Sequence, residues 1–295
     1  MLIDNQILIS SNKHFICIQW YSHMTVFLCW NLNNKPLQES LRRLAFQHQV
    51  DVLILSEVNI SPISILESLN SLGEPYYNYA RGECTKIKIF TRFSERFLTP
   101  IHESDAHRIT IRHLKLPART NILIVALHLP SKLFWTKEGQ SLYCTKVVRL
   151  TLEAEAKVKH SRTIIVGDFN MNPFESGLIS ALGLNAVMSR HLANQRVRTI
   201  QGETYQYFYN PMWNFFGDET EGPPGTYHYR SSDPNCYHWN IFDQVLIRPD
   251  LLEKFSIKDL MILQSDGETP FQTKQGLPNT RATSDHFPIL FELNL

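Results

Sequence analysis

Six places in this 295-residue chain put a hydrogen-bonding or ionisable side chain at, or inside, an apolar run. Asn31 follows TVFLCW, Glu57 follows VDVLILS, His128 follows NILIVAL and Asp168 follows TIIVG. Asp285 and His286 immediately precede FPILFEL, and Asp243 lies inside IFDQVLI. Taken singly, an Asn or Asp after a strand is a turn residue that bonds its own backbone. A single histidine is more often structural. Glu57 and Asp243 resist that reading, because a carboxylate in apolar surroundings must be solvated, paired or bound to a metal. Strand ends commonly carry sites, and the conjunction of six such positions points to chemistry.

The residue types fit one reaction. Glu57, Asp285 and the amide oxygen of Asn31 are all-oxygen donors, suited to Mg²⁺ or Mn²⁺ with retained waters. An Asp and a His can hold and activate a water, with Asp243 orienting the imidazole. Asn170 and His128 can stabilise charge on phosphate oxygens.

Elements must bring these residues together. Residues 25–30, 50–56, 121–127, 163–167, 240–247 and 287–293 read as strands, most of them continuous apolar runs. Residues 86–90 and 108–116 alternate apolar and polar positions, as half-buried antiparallel strands do. Helices are predicted over 36–49, with Asn33 and Asn34 as capping candidates, over 62–72, within 132–160, and over 175–183 ending at Gly183. Residues 201–240, rich in aromatics, Gly and Pro, read as long loops with short strands. No repeat or linker divides the chain, so residues 24–295 are expected to form one domain of mixed α and β elements. Residues 1–23 are expected to lie outside its core.

Composition narrows the class. With 43% hydrophobic and 19% charged residues, the chain can bury a large core. A formal net charge of +1 gives no field of one sign, so charge alone predicts neither nucleic-acid nor membrane binding. Five cysteines, none paired at zinc-ligand spacing, suggest reduced structural thiols and a cytoplasmic protein. No membrane span or signal peptide is read.

The motifs CWNLN, LSEV, ALHLPS, VGDFN, FDQVLIR and SDHFPI occur in the order found in one family. From about residue 24 onward the chain resembles the endonuclease/exonuclease/phosphatase superfamily, which has the DNase I-like fold. The resemblance implies an α+β, four-layer αββα sandwich: two mixed sheets face to face, helices outside, the site at one end. It implies Glu57 as the main metal carboxylate, with Asn31 and Asp285 beside it. Asp168 would position or deprotonate the attacking water, and Asn170 would bind phosphate. His286, paired with Asp243, would contact the scissile phosphate, and His128 would be a phosphate contact or general acid. Ser131, Lys132, Arg92 and Trp213 are the candidate substrate contacts.

The implied activity is divalent-metal-dependent phosphodiester hydrolysis, most readily of DNA or RNA. A phosphatase or phosphodiesterase acting on a small-molecule or lipid phosphoester is the alternative, and an inactive binding module on the same fold is another. The absence of WCDR, the inositol phosphatase signature, weighs against a phosphoinositide substrate. Asn33 stands where exonuclease III-type relatives carry Asp.

Overall fold

The computed structural model describes residues 24–71, 73, 77–103, 107–217, 219–232 and 234–295. Two mixed sheets form its centre. The first runs, in spatial order, Phe255–Ile262, Ile289–Asn294, Met24–Asn31, Val52–Ser56, Ile87–Thr91, Asn78–Tyr79. The second runs Leu98–Glu103, Ile109–Leu114, Ile122–His128, Thr163–Asp168, Asp243–Ile247, Phe208–Tyr209, Ala186–Val187. The expected sandwich is the observed one. The expectation for residues 1–23 lies outside the described residues.

Each sheet has one central parallel pair. Met24–Asn31 lies parallel to Val52–Ser56, and Ile122–His128 parallel to Thr163–Asp168. Parallel neighbours need a long crossover, usually a helix. Here α1 (Gln38–Gln47) makes the first crossover and α3 (Lys137–Val158) the second; α2 (Pro62–Leu69) follows the first pair. Asn31, Glu57, His128 and Asp168 sit at or just past the C-terminal ends of these pairs, and the Asn31–Asp168 and His128–Glu57 contacts place both sets of ends together.

Alternation sorts the side chains. Ile122, Ile124 and Ala126 join the large core between the sheets, while Leu123, Val125 and Leu127 face Tyr143, Cys144, Val147 and Leu150 of α3. Leu41, Leu44 and Ala45 of α1 and Ile65 of α2 extend the large core on the other side. Among the described residues no helix is long and apolar enough to cross a membrane, and the four described cysteines are free.

Several elements differ from expectation. Asn33 and Asn34 do not cap α1, whose N-cap is Leu37; both adopt left-handed conformations (φ 46° and 56°) that turn the chain after the first strand. Ile109–Leu114 is buried along its whole length. Its polar positions survive burial because Arg112 is ion-paired to Glu103 and donates to the Arg81 carbonyl oxygen at 3.1 Å. The helix expected over 175–183 is only Ser176–Ile179. Gly183 does not end it; a Cβ there would run into the Gly177 carbonyl oxygen. The Phe255–Ile262 strand was not expected: its exposed, charged positions hide an edge strand.

At the sheet end far from Asp168, His113 Nε2 lies 3.2 Å from His160 Nε2. Burial first, then the charges of Lys115, His160 and Arg162, push His113 down to about 4. The folded chain thus refuses a proton that the unfolded chain accepts near pH 6.5. Stability should fall as pH drops from about 6.5 to about 4. Urea unfolding across that range should show His113→Gln losing less stability than wild type; parallel curves would remove this histidine from the acid response.

Candidate active site

The site lies where the ends of the two sheets meet. In the second sheet, His128, Asp168 and Asp243 are register neighbours on adjacent strands. Gly167, at φ 145°, lets these strands come together; a Cβ there would collide with the Leu127 carbonyl oxygen. In the first sheet, Asn31 pairs with Ser56, and Glu57 leaves the strand in a left-handed conformation, φ 49°. Such a conformation is uncommon for a side chain of this size.

Hydrogen bonds tie the sheets together. Asn31 Nδ2 donates to Asp168 Oδ2 at 3.0 Å, and the Asn170 N–H donates to Asp168 Oδ1 at 2.8 Å. His286 Nδ1 lies 2.7 Å from Asp243 Oδ2, both residues buried. The His286 backbone is held from the first sheet: Trp30 Nε1 donates to its carbonyl oxygen at 2.8 Å. Ser284 Oγ accepts the His286 N–H at 3.0 Å and donates to the Asn31 carbonyl oxygen at 2.6 Å. Thr226 Oγ1 accepts the N–H groups of Phe242 and Asp243, both at 3.1 Å.

Charge sets the protonation state. Burial by itself pushes His286 down, but Asp243, then Asp168 and Asp285, outweigh it and raise the imidazole to about 10. Burial raises Asp243 as well, against the pull of His286. Asp243 thus favours the protonated imidazole, whose Nδ1 faces its Oδ2. His286 Nε2–H is left to donate elsewhere. His128 Nε2 lies 3.5 Å from Glu57 Oε1 and 3.7 Å from Asp168 Oδ2, bridging the two sheets' carboxylates. Its Nδ1 is buried without a partner among the described residues.

The donor set fits a hard divalent cation. The Glu57 side chain is 34% exposed and has His128 as its one ion-pair partner among the described residues. Asn31 presents an amide oxygen, which already accepts the Asn33 N–H at 2.9 Å, and Asp285 is half-buried beside His286. All three offer hard oxygen atoms with lone pairs to spare, the donor type that Mg²⁺ and Mn²⁺ take. Ligand atoms of Asp168, Asp243 and His286 also lie within 4.8 Å of one another. Within that trio the short His286 Nδ1–Asp243 Oδ2 contact occupies one oxygen of Asp243 and one nitrogen of His286.

The substrate candidates divide. Lys132 is ion-paired to Glu175 and stands 5.3 Å over the Phe242 ring; Ser131 Oγ accepts the Leu133 N–H at 3.1 Å in the same loop after His128. Trp213 sits in an aromatic cluster with Phe174 and Phe216. Arg92 is not brought to the site. Its strand runs antiparallel to Val52–Ser56, so Arg92 lies at the opposite end, 3.5 Å from Asp51. Lys88 is structural, donating to the carbonyl oxygens of Val58 and Ile60 at 3.0 and 2.7 Å.

Sequence reasoning missed Tyr227, whose ring lies 4.7 Å from the His286 ring and stacks on Phe242 at 5.1 Å. Burial, then charges including Asp285, Asp168 and Glu57, raise its phenol to about 12. It also missed Asn172, which supports the floor: Nδ2 donates to Asn240 Oδ1 at 2.8 Å and Oδ1 accepts the Ile241 N–H at 2.9 Å. The second Asn of GDFNMN was its only trace in the sequence.

Two facing mixed sheets with an acidic, histidine-bearing site at their shared end give the chain DNase I-like architecture. The model of the endonuclease/exonuclease/phosphatase family matches residues 28–286, and the chain belongs to that family. All three activities in the family's name cleave phosphoesters. No curated protein matches the sequence. Among solved structures, the human nocturnin catalytic domain with bound sulfate is similar at 14% identity, over 92% of this chain and 95% of that one, TM-score 0.56. A family protein from Bacteroides thetaiotaomicron is similar at 15% identity, over 92% and 97%, TM-score 0.56. The endonuclease domain of TRAS1, a telomere-specific non-LTR retrotransposon, is similar at 13% identity, over 92% and 98%, TM-score 0.52. At these identities the likeness is one of fold.

Glu57→Gln should weaken Mn²⁺ binding, measured by calorimetry, by about tenfold or more while leaving Tm nearly unchanged, since the side chain is partly exposed and its contact with His128 is long. Unchanged affinity would take Glu57 out of the ligand set.

Proposed function

We propose that this protein is a divalent-metal-dependent phosphodiester hydrolase that cuts nucleic acid by in-line attack of water. The observation that carries the reading is the His286–Asp243 pair beside Asp168, at the seam where Glu57 and Asn31 arrive from the other sheet. Glu57, Asn31 and Asp285 would hold Mg²⁺ or Mn²⁺, which when bound supplies positive charge to the phosphate oxygens.

The chain's own residues do the rest. Asp168 is fixed by Asn31 and by the Asn170 N–H, one on each oxygen, so it is aimed rather than free to rotate. It orients the attacking water and accepts its proton. His286 donates from Nε2 to a non-bridging oxygen as negative charge grows there, and Asp243 keeps the imidazole charged and oriented. His128, between Glu57 and Asp168, contacts the phosphate or protonates the leaving oxygen. Asn170, whose Nδ2 donates to the Leu129 carbonyl oxygen at 3.0 Å, completes the phosphate cradle. Nucleic acid as the substrate is supported by family membership and by the fold shared with the TRAS1 endonuclease domain.

Supercoiled plasmid, single-stranded DNA, RNA and a phosphomonoester would be incubated with Mg²⁺ or Mn²⁺. Nucleic-acid cleavage that needs the metal is expected, with Asp168→Ala and His286→Ala each losing about a thousandfold in kcat. Turnover of the monoester alone would replace the nuclease with a phosphatase. Cleavage that survives both substitutions would move the site elsewhere.

A further inference from the structure

Two groups of aromatic rings, linked through Lys132 and its partner Glu175, lie beside the site. The first begins at His286, whose ring meets Tyr227, which stacks on Phe242 at an interplanar angle of 22°. Lys132 Nζ stands 5.3 Å over the other end of this stack, at Phe242. Its ion-pair partner Glu175 accepts the Asn172 N–H at 2.8 Å, which fixes the loop carrying Phe174. Phe174 then gathers three further rings: Tyr237 at 5.1 Å, Phe216 at 5.7 Å and Trp213 at 6.2 Å.

This cluster is not a closed core. Tyr237 is 66% exposed, and Phe174, Trp213 and Phe216 are each half-buried. Trp213 Nε1 is buried with no acceptor among the described residues. A buried indole N–H without a partner is unusual in a packed interior and costs free energy. An exposed ring beside half-buried ones offers a flat apolar face that suits a planar ligand.

Charge identifies the ligand further. The formal net charge is +1, so the molecule as a whole exerts no strong field on a polyanion. Local contacts must supply the grip. A cation interleaved with ring faces is the pattern that binds unpaired nucleotides, with bases stacked on rings and the backbone phosphate on the lysine. A base inside a duplex is already stacked on both faces and is not available to a ring.

Resting on the nuclease reading above, we infer that the Phe174–Trp213–Phe216–Tyr237 cluster is a nucleobase shelf, so that the substrate is single-stranded on this side of the scissile phosphate. The nucleotide flanking the cut stacks on Tyr237 and Phe174, and its phosphate draws Lys132 away from Glu175. Stacking on a ring is indifferent to base identity, so the shelf selects unpaired strand over duplex rather than one sequence over another.

The test measures binding, so it does not depend on turnover. Fluorescence anisotropy without divalent metal would follow single-stranded oligothymidylates, in DNA and RNA form, with one base-less nucleotide stepped along the strand. Wild type should lose about tenfold in affinity at one or two adjacent positions and little elsewhere. Tyr237→Ala, at an exposed position that the fold does not need, should lose about tenfold on the complete strand and no longer discriminate the base-less position. Tyr237→Phe should behave as wild type, and duplex binding should not respond to Tyr237→Ala. Affinity insensitive to every base-less position, or a Tyr237→Ala loss equal on strand and duplex, would overturn the shelf. Position-dependent binding without hydrolysis of any strand would keep the shelf and overturn the proposed activity.

Discussion

The His286–Asp243 contact joins the two sheets where both bring polar groups into a buried interior. His286 precedes the Ile289–Asn294 strand of the first sheet, and Asp243 begins its strand in the second. Their bond, at 2.7 Å, is buried on both sides. Breaking such a pair by removing one partner strands a buried charge, at a typical cost of about 3–5 kcal/mol. The Asn31–Asp168 bond repeats the arrangement a short distance away. The site is therefore the seam of the sandwich, and a shift of one sheet against the other would pull both bonds apart.

That seam is rigid because of what lies beneath it. The side chains under the site, among them Trp30, Leu28, Ile124 and Val166, are fully buried in the large core. Interiors this closely packed do not deform smoothly. Both parallel pairs end at one edge, which is the usual place for a site in such sheets. The geometry of the site is thus a consequence of sheet register: one residue of slip would turn Asp168 or His128 to the opposite face.

How much of this the sequence disclosed follows from the same register. Asn31, Glu57, His128 and Asp168 were legible because each ends or follows an apolar run, and strand ends are marked by that change. Asp243 was legible as a charge that an apolar strand has to explain. Arg92 misled because direction is invisible in a single sequence. Antiparallel pairing sets Ile87 beside Ser56 and sends Arg92 to the far end. Tyr227, Phe242 and Asn172 lie in or against irregular segments without periodicity, so only their contacts reveal them. Asn33 and Asn34 looked like caps because the residues that favour caps also favour the left-handed turn.

The measurement that bears most directly on the seam is the protonation state of His286. ¹⁵N NMR of the histidine side chains, assigned with His286→Gln, would be recorded from pH 6 to pH 9. His286 should show two protonated ring nitrogens throughout, with a slowly exchanging Nδ1–H that disappears in Asp243→Asn. A neutral His286 ring at pH 7 would contradict the charged pair, and with it the assignment of His286 as the donor to phosphate.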